Sequence, residues 1–132
     1  VYTYKAITDS VQVMVETEYQ PHRSSPQKGH HVWAYHIEIS NLGQSDVQLR
    51  SRYWRIIDGQ GRLQEVRGRG VVGEEPLIEA GDSYSYSSQC PLDSESGIMS
   101  GHFQMEAEDG SLFEVIIPSF SLDIPNRSIT LN

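Results

Sequence analysis

The sequence contains one cysteine, Cys90, among 132 residues, which excludes an internal disulfide. A reducing compartment is compatible with that, and a cytoplasmic location is the expectation. No apolar run approaches the roughly 18 residues of a helical membrane span. The first five residues, Val-Tyr-Thr-Tyr-Lys, do not read as a signal peptide. Basic residues are scarce: ten Lys and Arg stand against eighteen Asp and Glu, a formal net charge of −8. General nucleic-acid binding requires a cationic footprint on phosphates, and anionic membrane surfaces repel an acidic chain. Neither is an expected partner, although an acidic chain can still carry a local basic patch. Also missing is any stretch with a 3.6-residue apolar period, so no helix is expected.

What the chain does have is short runs of strict alternation. Val11, Val13, Val15, Thr17 and Tyr19 alternate with Gln12, Met14, Glu16 and Glu18, the pattern of a half-buried strand. Residues 32–39, 47–57, 63–66, 77–78, 83–87, 98–107 and 112–117 read as further strands, giving about eight. Residues 1–10 are polar and mixed, 20–29 form an exposed loop, and 90–97 form another. Along 47–57, Val47, Leu49, Tyr53 and Ile57 fall on one face and Arg50, Arg52, Trp54 and Ile56 on the other. Gly101 signals a bulge or a close backbone approach, and Pro118 ends its strand. Asp58-Gly59-Gln60-Gly61, Glu79-Ala80-Gly81-Asp82 and Asp109-Gly110 are turns. The spacing of turns favours one antiparallel all-β domain over 1–132, a sandwich or a barrel. A chain of this length buries roughly 65–70% of its unfolded surface and needs no metal to hold a core.

The most distinctive stretch is Val66-Arg67-Gly68-Arg69-Gly70-Val71-Val72-Gly73-Glu74-Glu75-Pro76. Gly68, Gly70 and Gly73 match the nucleotide-binding pattern G-x-G-x-x-G, which must open a helix so that its N-terminus can hold a pyrophosphate. Here β-branched Val71 and Val72 follow, then Glu74-Glu75-Pro76, and nothing after them reads as that helix. Arg67 and Arg69 favour anions, so a nest of backbone N–H groups remains an alternative. The structural reading is a Gly-rich crossing between sheets.

That stretch, with Ser51-Arg52-Tyr53-Trp54-Arg55-Ile56 before it and Ala80-Gly81-Asp82-Ser83-Tyr84-Ser85-Tyr86-Ser87-Ser88 and Gly97-Ile98-Met99-Ser100-Gly101 after it, resembles the ApaG family over nearly the whole chain. The resemblance implies a fibronectin type III/immunoglobulin-like β-sandwich. It also implies a bacterial protein associated with cobalt and magnesium tolerance, and a domain used as an interaction module in fused eukaryotic proteins. It carries no catalytic residue. Glu75 and Ala80 stand where many members have Gln and Pro.

Other residue types suggest little chemistry. His22, His30, His31, His36 and His102 show no H-x-x-x-H spacing, and adjacent His30 and His31 would point to opposite strand faces. His31 and a neighbour on a paired strand could share a metal. Glu106, Glu108 and Asp109 read as a solvated hairpin tip. Cys90 would be a nucleophile only beside a base, and His102 is the nearest histidine in sequence. Trp33 and Trp54 read as core residues. No cofactor and no catalytic site are expected. The leading expectation is a non-enzymatic protein-interaction module with a protein partner. Its surface is the loop of Arg67, Gly68, Arg69, Gly70 and Gly73 with the sheet edge at Ser85. Such an edge could also pair with a second copy of the chain. The alternative is a small-anion or nucleotide-phosphate binder using the same loop.

Overall fold

Nine strands form from these alternating runs in the computed structural model, which describes residues 3–125. They are β1 (Thr3–Thr8), β2 (Val11–Tyr19), β3 (His31–Asn41), β4 (Val47–Asp58), β5 (Leu63–Arg69), β6 (Leu77–Ile78), β7 (Ser83–Leu92), β8 (Gly97–Ala107) and β9 (Leu112–Leu122). Four make one antiparallel sheet in the order β1-β2-β3-β7; the other sheet runs β5-β4-β8-β9, with β6 also paired to β4. No α-helix occurs among the described residues, and so none that could cross a membrane. The two sheets pack face to face as the sandwich expected from turn spacing and from the family resemblance.

The inner faces follow the alternation. Val11, Val13 and Val15 of β2 are fully buried, as are Trp33, Ile37 and Ile39 of β3. Opposite them lie Leu49, Trp54, Met99, Phe103, Met105, Val115, Ile117, Phe120 and Leu122. Each such side chain contributes about 1.5–3 kcal/mol on leaving water. The centre is aromatic: the rings of Tyr35 and Trp54 meet edge to face at 5.3 Å, and those of Trp54 and Phe120 at 5.9 Å. Val32 and Ala34 are also buried, on the opposite face of β3. The 20–30 loop closes over Val32 there. Its short 3-10 turn Pro21–Arg23 packs on β3, Gln20 N donates to Val32 O, and Ser24 Oγ accepts from Val32 N.

Several expectations need correction. Residues 1–10, polar and mixed, carry no strand signal of their own, yet 3–8 form β1, paired with β2 from Thr3↔Glu16 to Thr8↔Val11. The hairpin turn is Asp9-Ser10, both at positive φ (47° and 66°), which lacks the Asn-Gly or Asp-Gly chemistry that makes such turns legible. Residues 90–92 belong to β7, not to a loop. Pro118 does not end β9: the strand runs through it to Leu122. The proline sits in a register shift, where β8 pairs Met99↔Phe120 and then Gly101↔Ile117, so no ladder hydrogen bond is lost. The largest correction is in β4. Its register with β8 slips between Leu49 and Ser51, and the extra residue reverses the alternation. Val47 and Leu49 face the core before the bulge, Trp54 and Ile56 after it. Tyr53 and Ile57 therefore turn outward instead of sharing a face with Val47 and Leu49.

Two of the expected turns form as their chemistry predicts. Gly81 takes φ 86°, and Asp82 N donates to Glu79 O, as a type II turn requires. The Asp58 carboxylate accepts from the Arg62 and Gln60 N–H groups and from Arg62 Nε. Those bonds, that of the Arg62 N–H first, hold its pKa below the ordinary value.

Candidate functional site

The Gly-rich stretch forms a two-residue hairpin and opens no helix. Val71 N donates to Glu74 O at 2.8 Å and Glu74 N returns to Val71 O at 2.9 Å. Between them Val72 and Gly73 both have positive φ, 42° and 81°, the geometry of a type I′ turn. The hairpin joins β5 to β6, and both pair with β4 in one sheet. This corrects the expected crossing between sheets; the chain changes sheet later, at the 79–82 turn. Gly70 is required here: its N–H donates to Arg50 O at 2.8 Å, and a Cβ would collide with the Glu74 carbonyl oxygen. The N–H groups of Gly70, Val71 and Glu74 are thus engaged by backbone carbonyls instead of being aimed outward as an anion nest.

Val72 is a β-branched residue at positive φ and is 58% exposed, a combination that costs of order 1–3 kcal/mol. Val72→Asn retains the turn with a residue that tolerates this φ. It should stabilise the protein by about 1 kcal/mol, read as a rise of roughly 3 °C in the thermal midpoint. An unchanged or lower midpoint would show that Val72 is not strained.

Arginines hold this hairpin in place. Arg52 Nη1 donates to the carbonyl oxygens of Gly70 (2.9 Å) and Arg69 (3.2 Å), in space that Gly68 leaves by having no side chain. Arg50 pairs with Glu75 at 3.1 Å and Glu106 at 3.0 Å, and Arg69 Nη2 with Glu75 at 3.0 Å. In β7, burial raises the pKa of the Tyr86 phenol far above the ordinary value. Tyr86 Oη is buried and has no hydrogen-bond partner among the described residues.

On the outer face of the same sheet, pairing lines up two cross-strand rows. Arg67, Tyr53, His102 and Ile116 form one; Arg69, Ser51, Gln104 and Glu114 form the next. The Arg67 guanidinium stacks 4.6 Å above the Tyr53 ring, whose hydroxyl donates to Glu65 at 2.6 Å. The His102 ring lies 5.1 Å from that of Tyr53.

Ser85 lies in β7, at the end of the other sheet. Asn41 N donates to Asp82 O, so even-numbered residues of β7 bond to β3. Ser83, Ser85, Ser87 and Gln89 therefore turn their backbone N–H and C=O groups to the open side. Pro91 has the same parity and loses no ladder bond. The four edges of the sandwich differ. β1 closes over β9, with Thr8 Oγ1 accepting from Ile116 N at 3.2 Å and Tyr4 Oη 3.1 Å from Ser121 Oγ. β5 carries Glu65, Arg67 and Arg69 within seven residues. β7 carries no charge in ten. A cleft lined by Leu63 and Gln64 of β5 and Pro91 and Leu92 of β7 puts these two edges on one side of the sandwich.

The remaining candidates are separated. Cys90 is buried in β7, where burial raises its thiol pKa to about 11, while His102 lies on the outer face of the other sheet. His31 is buried and meets Tyr19 Oη through Nδ1 at 2.9 Å; His30 is at the surface, 3.5 Å from Asp93. Among the described residues no three His, Cys, Asp or Glu side chains gather as a metal site. Sequence reasoning did not single out Ser51, Tyr53, His102 and Gln104 as a group, because the bulge in β4 decides which of them face outward.

The ApaG domain family model matches residues 21–107. Protein ApaG of Brucella anthropi is 54% identical over 98% of this chain and 99% of its own length; that of Brucella canis is 51% identical over the same shares. The crystal structure of a Bordetella pertussis protein named ApaA superposes with a TM-score of 0.85 at 43% identity, covering 87% of this chain and 94% of that one. The C-terminal domain of Wzt, at 13% identity and a TM-score of 0.55, shares the fold. None of these names states an activity.

Proposed function

The chain belongs to the ApaG domain family, and from that premise we propose that it is a non-enzymatic interaction module that captures an extended segment of a protein partner along the open edge of β7. One observation carries this reading. β7 is an edge strand without charge, whose one proline, Pro91, leaves the stretch Ser83–Gln89 unguarded, in a chain whose other described edges are either closed over or charged. Unpaired N–H and C=O groups recruit strands, and soluble proteins guard idle edges with charge, proline or cover. Strand addition supplies backbone hydrogen bonds, with side-chain pockets setting specificity. Beside the edge, a shallow pocket of about 250 Å³ is lined by Met14, Glu16, His36, Glu38, Ser85 and Ser87, among others; it can take a side chain of the added strand. A second copy of the chain would use the same edge. A cytoplasmic site of action and an indirect link to cobalt and magnesium tolerance belong to the same reading.

Ser85→Pro tests it. The substitution removes one outward N–H at a position of the same parity as Pro91, so folding should persist. Partner recovery in a pull-down from native extract, and any self-association on a sizing column, should be lost. Ser85→Ala keeps the N–H and should retain both. Equal recovery by the wild type and a folded Ser85→Pro variant would sink the proposal.

A further inference from the structure

We infer that the outer face of the β5-β4-β8 sheet binds a phosphate group, held by side chains between Arg67 and Arg69 and not by the glycine amides. The rows described above enclose an open hollow of about 360 Å³, lined by Ser51, Tyr53, Arg67, Arg69, His102 and Gln104, with Arg52 and Gly68 at its side. No carboxylate lines it, although the chain as a whole carries a net charge of −8. The flanking acids steer the arginines. Glu75 holds Arg69 through Nη2 alone, and Glu65 lies 3.7 Å from Arg67, so most N–H donors of both guanidiniums remain open to a ligand. Arg67 is pre-positioned by its stack on Tyr53, which lowers the entropy lost on binding.

Gln104 adds a further donor. Ser51 Oγ donates to Gln104 Oε1 at 3.5 Å, which leaves the Gln104 amide hydrogens available. His102 Nε2 lies 3.6 Å from Glu114, so the ring is turned to that carboxylate and packs on Tyr53 without serving as a donor. Two forked cations and an amide are more donors than the two oxygens of a carboxylate can satisfy. They suit the three terminal oxygens of a phosphate, which arginine binds bidentately. The group can be free phosphate or a phosphoryl group on a small molecule. The hollow lies on the opposite sheet from the β7 edge, so this inference does not depend on the proposed function.

The test is an amide-resonance titration of the full chain at constant ionic strength with sodium phosphate, O-phosphoserine, acetate and chloride. Phosphate or phosphoserine should give saturable shifts at residues 51–53, 67–69 and 102–104. The stronger of the two identifies the source. Acetate should bind more weakly and chloride should not saturate. Arg67→Gln/Arg69→Gln should weaken binding about tenfold or more, Tyr53→Leu less, while Arg62→Gln and Ser85→Pro leave it unchanged. Overturning results are shifts confined to residues 70–74, equal saturation by acetate, or binding that survives the double variant.

Discussion

Gly101→Ala is expected to destabilise the protein by about 3 kcal/mol or more, a fall of roughly 10 °C in the thermal midpoint. Gly101 pairs with Trp54 across the centre of the β4-β8 ladder. A Cβ there would collide with the Tyr53 carbonyl oxygen and sit 3.3 Å from Trp54 Cα. Both obstacles are backbone, and the two strands share eleven paired positions, so no flexible side chain can give way. The strand would have to part from its neighbour or move its bulge. Either change would also displace His102 from Tyr53, one residue along. Ser100→Ala, at the adjacent position, should stay within about 0.5 kcal/mol. Thermal melts of both variants decide the matter. A Gly101→Ala midpoint within a couple of degrees of wild type would show that the close approach is relaxed in solution.

Trp33→Ala should cost about 3–5 kcal/mol, the range for removing a large buried aromatic. Trp33 is 1% exposed and packs edge to face on Tyr19 at 5.4 Å. Its Nε1 donates to Asp123 O at 2.8 Å, joining β3 to the segment after β9. The substitution leaves both a cavity and a carbonyl without its donor. Trp33→Phe separates the two effects: it keeps most of the ring packing and loses the hydrogen bond, for about 1–2 kcal/mol. Denaturant unfolding gives both values. Equal losses for the two variants would mean that the hydrogen bond, and not the ring volume, is the dominant contribution.

The strands were legible where their signal is local. β2 shows period 2 directly, because its valines all face the core. The turns at Gly81 and Gly110 were legible because positive φ selects glycine. Illegible were features set by pairing with remote residues. β1 has little apolar character of its own and exists because β2 offers it a partner. The inward side of β4 depends on one extra residue against β8, which no pattern within β4 reveals. Of the candidate surface, the glycines, Arg67, Arg69 and Ser85 were picked out from the sequence alone. Tyr53, His102, Ser51 and Gln104 were not, since they are assembled across β4 and β8, whose paired residues lie about fifty positions apart.

The all-β class, the absence of a disulfide, most strand positions and the family can be read from the residues alone. Each of these rests on residue identity or on spacing within a few residues, where alternation and backbone sterics act directly. Strand pairing alone makes the Gly-rich stretch a hairpin with the Gly70, Val71 and Glu74 amides engaged, sets the arginines and Tyr53 on one outer face, and leaves β7 as the uncharged open edge. Those properties follow from which distant strands pair and in what register, and a one-residue slip in register exchanges the buried face for the exposed one.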